Sequence, residues 1–190
     1  PPRPYSADGK SSDGCDNRCA YCAIPLIRGS YRSRPYEDIL GECRRLIRGG
    51  VSEITLIAQD TSRYGSDFPE KKLLLPDMLR AIDAMEGIHW VRVLYCYPDA
   101  ITDDLLDTNA EEEKIVKYID LPLQHASGRI LKAMNRRGDR ASLTELMRKI
   151  REKIPVVTLR TTLLTGFPCQ TEQGLTQHEL FCKAVHVESP

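Results

Sequence analysis

Three cysteines, Cys15, Cys19 and Cys22, stand in the run Gly14-Cys15-Asp16-Asn17-Arg18-Cys19-Ala20-Tyr21-Cys22. The spacing is C-x3-C-x2-C, with an aromatic before the last cysteine. Three thiolates on one short loop can ligate three irons of a 4Fe-4S cluster. Such clusters normally take four cysteines, so a set of three leaves one iron open to a small molecule. The competing chemistry is structural zinc, which wants four ligands, usually as paired short spacings. The next cysteine, Cys43, sits in an apolar helical pattern, the first histidine is His89, and no second C-x2-C pair exists. Ligand count and spacing therefore favour the cluster over a Cys-rich zinc-binding module.

The elements that must position this loop are legible as an alternation of strand and helix patterns. Residues 35–48 read as a helix opened by Pro35, apolar at Ile39, Leu40, Cys43, Leu46 and Ile47, and stopped by Gly49-Gly50. Ile54-Thr55-Leu56-Ile57-Ala58 is a short β-branched run suited to a buried parallel strand. Further helices are expected over 76–85, near 101–106, and over 127–134 and 142–150, with strands over 90–95, 116–121 and 156–164. Strands separated by helices imply βαβ units and a parallel sheet, which right-handed crossovers curl into a complete or partial barrel. The expected fold class is thus α/β, a partial parallel (βα) barrel. Chemistry in that architecture sits at the carboxyl ends of the strands, where Gln59-Asp60-Thr61, Gln124-His125 and Gly166-Phe167-Pro168 fall. Two stretches fit poorly. Residues 6–12 lack the apolar alternation of a buried first strand, and beyond Pro168 the pattern is weakly helical with no further strand.

Composition excludes several classes. The 190 residues suffice for one domain with a sizeable core. Lysine plus arginine equals aspartate plus glutamate at 27 each, so no global field draws the chain to nucleic acid or membrane. No apolar run approaches a membrane span and the first residues do not read as a signal peptide. Seven cysteines, three of them in one loop, fit a reducing compartment, and a cytoplasmic location is expected. Cys43 and Cys96 read as small buried hydrophobes; Cys169 and Cys182 are too far apart for a metal knuckle.

The segments Ser12-Asp13-Gly14-Cys15-Asp16-Asn17-Arg18-Cys19-Ala20-Tyr21-Cys22, Ile24-Pro25, Arg28-Gly29 and Ser33-Arg34-Pro35 resemble the core of the radical S-adenosylmethionine (SAM) methylthiotransferases. Ile57-Ala58-Gln59-Asp60-Thr61-Ser62-Arg63-Tyr64-Gly65 and Asp120-Leu121-Pro122-Leu123-Gln124-His125-Ala126-Ser127 resemble the branch that modifies a ribosomal protein. The branch acting on adenosine in transfer RNA is the alternative. Arg160-Thr161-Thr162 and Gly166-Phe167-Pro168 complete a match running over residues 12–168. The family usually continues with Gly-Glu-Thr, where this chain has Cys169-Gln170-Thr171.

The resemblance implies a 4Fe-4S cluster on Cys15, Cys19 and Cys22 whose open iron binds SAM, and reductive cleavage of SAM to a 5′-deoxyadenosyl radical. It implies transfer of a methylthio group to an aspartate β-carbon of a small-subunit ribosomal protein, with an electron donor and a sulfur donor as further partners. Family members carry an amino-terminal domain with a second 4Fe-4S cluster and a carboxyl-terminal β domain. Residues 1–190 match neither, so they are expected to be one radical SAM core domain. Tyr21 is expected either at the SAM adenine or in ordinary packing. Gln59, Asp60 and Thr61 either contact SAM or make turn chemistry. Gln124 is expected at SAM or at a substrate carboxylate, and His125 in a structural or substrate-positioning role. Arg160 either forks onto the SAM carboxylate or joins a buried ion pair, and Gly166 gives close backbone approach or only a turn. Asp16, Asn17 and Arg18 are expected to shape the loop. Arg28, Arg32 and Arg34 form a basic cluster, read either as facing an acidic partner or as a solvated face.

Overall fold

The computed structural model describes residues 5–184, without the side chains of Gln173, Gln177 and Cys182. In chain order the elements are β1 (Ser6–Lys10), β2 (Ser12–Asp13), α1 (Ile24–Arg28), β3 (Arg32–Ser33), α2 (Tyr36–Arg48), β4 (Glu53–Ile57), α3 (Leu75–Asp83) and β5 (Trp90–Val93). There follow α4 (Asp103–Glu111), β6 (Tyr118–Asp120), α5 (Gly128–Ala133), α6 (Arg140–Lys153), β7 (Thr158–Arg160) and α7 (Glu172–Ala184).

β1, β4 and β5 form a parallel sheet in that order, with Ala7 opposite Ile54 and Gly9 opposite Leu56. β6 and β7 form a parallel pair with Asp120 opposite Arg160. A parallel bridge between Val91 and Ile115 joins the two sheets, and Cys96 N donates to Asp120 O at 2.9 Å. The parallel strands thus follow one another as β1, β4, β5, β6, β7, an open partial (βα) barrel with no strand beyond β7 among the described residues. β2 and β3 make a small antiparallel ladder at its mouth.

Residues 6–12, which lack apolar alternation, nonetheless supply a strand. In β1 the members turned inward are Ala7 and Gly9. A Cβ on Gly9 would stand 3.2 Å from Leu56 Cδ2 and 3.5 Å from Ile54 Cγ2, so the large side chains of β4 already fill that space. The alternation is present but written in small residues. Elsewhere the apolar pattern and the structure agree. α2 buries Ile39, Leu40 and Cys43, carries Glu37 and Asp38 in its first turn and Arg45 and Arg48 in its last, and so complements its own dipole. α6 opens on a capping box in which Ser142 N donates to Asp139 Oδ1 at 2.8 Å and Asp139 N to Ser142 Oγ at 2.9 Å. The helix expected near 101–106 starts at Asp103 instead, because the Thr102 hydroxyl caps it from outside by accepting from Leu105 N. Ile39, Ile54, Leu56, Val91, Leu106 and Leu159 meet in one core, and Cys43 and Cys96 are buried with them.

Candidate active site

The cysteine loop connects β2 to α1 and is tied down from three directions. Cys15 N donates to Gly29 O at 3.2 Å, Ala20 N to Met134 O at 2.9 Å, and Asn135 Nδ2 to Arg18 O at 2.9 Å. Gly14 makes the entry possible. Its φ is +69°, and a Cβ there would stand 2.1 Å from the backbone oxygen of Ser30. Asp16 Oδ1 accepts from Tyr31 N at 3.2 Å, and Asn17 Nδ2 donates to Asp60 Oδ2 at 2.9 Å, so both residues shape the loop.

Cys15, Cys19 and Cys22 are free and partly exposed. Burial pushes the Cys15 thiol up, with Asp60, Cys19 and Cys22 adding to the rise by their charge. Among the described residues no three Cys, His, Asp or Glu side chains converge as a single-ion site would require. Cys19 has the closest company. Its Sγ lies 3.2 Å from Tyr97 Oη and 3.7 Å from Arg136 Nη1.

A cleft of about 510 Å³ opens at the carboxyl ends of β1, β4 and β5, against the end of β2 and the end of α1. Lys10, Ser12, Asp13, Arg28, Gln59 and Tyr95 line it. Asp13 pairs with Lys10 at 2.7 Å and with Arg28 at 3.8 Å, and the Lys10 hydrogen bond holds its carboxyl below the usual range. The buried Ser12 hydroxyl has no hydrogen-bond partner. A second cavity of about 480 Å³ touches the cysteine loop, with Asn17, Arg18, Arg63, Tyr97, Arg136 and Arg137 in its wall.

Gln59 lines the first cleft, but its two neighbours point elsewhere. Asp60 is buried and accepts from Asn17, from Ser62 Oγ at 2.6 Å and from Arg63 Nε at 3.0 Å. Thr61 Oγ1 donates to Leu94 O at 2.6 Å. Both side chains are thus engaged in the turn that follows β4. Arg160 likewise joins an ion pair, with Asp120 at 2.8 Å, and the buried Asp120 also accepts from Tyr95 N at 3.1 Å. Gly166, at φ +76° with open space where a Cβ would be, serves a turn, and its N donates to Gln170 Oε1 at 2.6 Å. Gln124 holds a left-handed φ of +66° and prolongs the β6–β7 ladder, donating from N to Thr162 O at 2.9 Å. Tyr21 is exposed, meets Phe167 edge-on at 6.5 Å, and lies 3.4 Å from Arg136 Nη1.

Of its two expected roles, structural or substrate-positioning, His125 is placed where the structural one would put it, inside the fold and away from the cleft. The ring is fully buried, stacked on His178 at 4.2 Å, with Nδ1 accepting from Ser127 N at 2.9 Å and Nε2 3.2 Å from Gln170 Nε2. Burial, then the neighbouring His178 and Arg129, pushes its pKa down to about 4. The basic cluster is also partly spent internally: Arg34 reaches Glu42 at 2.6 Å and Lys10 O at 2.7 Å. Lys10, Ser12 and Tyr95 escaped the sequence reading. Tyr95 follows β5 at its carboxyl end and could have been found by that rule. Lys10 and Ser12 lie in the strand region whose pattern was illegible. Arg136 comes from the turn after α5, 117 residues from Cys19, and nothing local marks it.

The sequence pattern of the radical SAM superfamily matches residues 10–180. The chain is 45% identical over 185 residues to the ribosomal protein uS12 methylthiotransferase RimO of Clostridium kluyveri, covering 97% of this chain and 41% of that protein. It is 49% identical over 169 residues to the RimO of Geobacter sulfurreducens, covering 89% and 38%. The chain thus spans about two-fifths of the length of these relatives. Among solved structures the fold is similar to the radical SAM methyltransferase TsrM from Kitasatospora setae, with a TM-score of 0.76 at 16% identity over 97% of this chain and 35% of that one. The coproporphyrinogen III oxidase HemN of Escherichia coli follows with a TM-score of 0.58 at 14% identity, covering 80% and 33%.

Proposed function

The chain belongs to the radical SAM superfamily, and from that premise we propose that it is the catalytic core of a methylthiotransferase acting on an aspartate β-carbon of ribosomal protein uS12. The observation that carries the reading is the triplet of free cysteines on one pinned loop, with a cleft at the carboxyl ends of the strands lined by Asp13 and Arg28, which lie on either side of that loop in the chain. The choice of substrate is supported by the likeness to the uS12 enzymes.

The residues present fit the implied cofactors. Three unpaired thiols within one pinned loop are a donor set for a cluster with one open iron. The cleft carries Lys10, Arg28 and Asp13, which pair with one another in the free chain, and a ligand's carboxylate and cationic group would exchange into those pairs. That is the polarity of an amino acid, and SAM presents an amino-acid end. When bound, the cluster and SAM supply a 5′-deoxyadenosyl radical for hydrogen abstraction. The chain contributes position and shelter: Asp60 and Asn17 fix the loop, Gln59 and Tyr95 wall the cleft, and Ile57 and Ala58 give it an apolar floor. A one-electron donor and a sulfur donor complete the scheme as partners.

Anaerobic reconstitution tests this directly. About four irons and four sulfides per chain are expected, with most of both lost in Cys19→Ala. Stoichiometric zinc without sulfide would overturn the reading in favour of a binding module. Mass spectrometry of uS12 and of transfer RNA, from cells with and without the full-length gene, tests the substrate. Loss of the methylthio group from adenosine alone would reassign it to the RNA branch.

A further inference from the structure

We propose that Arg136 is a positioning residue for the cluster, which holds a positive charge against the Cys19 sulfur and thereby sets the cluster's reduction potential. The inference rests on the function proposed above. Arg136 is only 8% exposed. Its Nη2 donates to Pro122 O at 2.6 Å, and its guanidinium lies over the Tyr97 ring, 4.1 Å from the centroid. Its Nη1 faces Cys19 Sγ at 3.7 Å and Tyr21 Oη at 3.4 Å.

The environment contains a carbonyl, an aromatic face, a phenol and a thiol, and among the described residues no carboxylate pairs with this cation. A guanidinium keeps its charge in proteins, and a buried charge is costly unless an opposite charge meets it. The group positioned to supply that charge is Cys19, which becomes a thiolate when it ligates iron. Tyr97 adds a second donor, its hydroxyl 3.2 Å from the same sulfur. Hydrogen bonds to sulfur and net charge are the levers that move an iron–sulfur potential. Reduction adds negative charge, so a fixed cation and two donors at one ligand favour the reduced state. The Pro122 contact and the Tyr97 ring keep the guanidinium in place while the electron arrives, so the charge stays beside Cys19.

Redox titration of the anaerobically reconstituted chain, followed by electron paramagnetic resonance, separates this role from simple packing. Arg136→Met is expected to retain iron and sulfide while making reduction at least tenfold less favourable, which is about 59 mV for one electron. Arg136→Lys should recover part of that shift, because it restores charge without the fork. Tyr97→Phe keeps the ring beneath the cation and removes the hydroxyl alone, so a smaller move in the same direction is expected. An unchanged midpoint in Arg136→Met with its cluster intact would overturn the inference. If that variant fails to fold, Arg136→Gln, which also removes the charge, takes its place, and an unchanged midpoint there would overturn the inference equally. Failure of the unsubstituted chain to assemble any cluster would instead bring down the functional reading on which this inference stands.

Discussion

A carboxylate tolerates burial only where hydrogen bonds replace its water, and Asp60 meets that condition with Asn17, Ser62 and Arg63 as its donors. Burial still pushes its pKa up, opposed by the hydrogen bonds from Ser62 and Asn17 and by the charge of Arg63. The Asn17 contact is the one that matters for chemistry, since it ties the middle of the cysteine loop to the end of β4. Asp60→Ala would release the loop and leave the Arg63 guanidinium paired with Asp99 alone. A loss of about 2 kcal/mol is expected, in the range for hydrogen bonds to a charged group, together with faster loss of cluster iron to a chelator although every cysteine remains. Urea denaturation and an iron-release time course check the two effects, and an unaltered release rate would show that the loop is held by other contacts. Gly14→Ala should be harsher, because its clash is with the Ser30 backbone, which cannot swing aside. That variant is expected to fail to retain iron at all. At this scale the sequence was informative about residue type and mute about orientation. Cys15, Cys19 and Cys22 are recognisable from spacing, whereas nothing in Gln59-Asp60-Thr61 distinguishes the side chain that lines the cleft from the two that turn away.

Elements were legible in proportion to the size of their buried side chains. β4 shows its Ile54 and Leu56, and α2 its Ile39, Leu40 and Cys43, so period and burial coincide. β1 does not, because a strand that packs Ala7 and Gly9 against β4 carries no hydrophobic signal to detect. α7 was faint for a different reason: part of its anchoring is polar. His178 lies on His125 ring to ring and accepts from Ala126 N at 3.1 Å, while Phe181 is buried beside the core. This contact makes stability depend on pH. His125 titrates near 4 in the folded chain against about 6.5 when unfolded. As pH falls, the unfolded chain binds the proton first, so folding stability is complete above about pH 6.5 and is lost down to about pH 4. The shift corresponds to about 3 kcal/mol, and burial moves His178 in the same direction. Urea midpoints are therefore expected to fall between pH 7.5 and 5, and to fall less in His125→Gln. Parallel pH profiles for the two proteins would sink the assignment.

On the scale of the whole molecule, the distribution of thiols limits what residues 1–190 can do. One triplet stands in the cysteine loop. Cys43 and Cys96 lie in the core, where burial pushes the first up to about 11 and the second further still, so neither is available as a thiolate. Cys169 is exposed and alone in its segment. The methylthiotransferase resemblance assigns sulfur insertion to a second cluster, and no second group of cysteines in this sequence can hold one. Over these residues 27 basic side chains balance 27 acidic ones, so net charge adds no general attraction to nucleic acid. Cleavage of SAM asks for less: a cluster with an open iron and a cleft for the amino-acid end, the roles proposed above for the cysteine triplet and the cleft lined by Asp13 and Arg28. Residues 1–190 are therefore expected to release 5′-deoxyadenosine slowly under reducing, anaerobic conditions and to form no methylthio product on uS12. Chromatography of the nucleoside beside mass spectrometry of the protein measures both in one incubation. Robust methylthiolation would show that sulfur reaches the substrate without a second cluster, and absence of 5′-deoxyadenosine from cluster-loaded protein would show that the cleft beside Ser12 does not hold SAM.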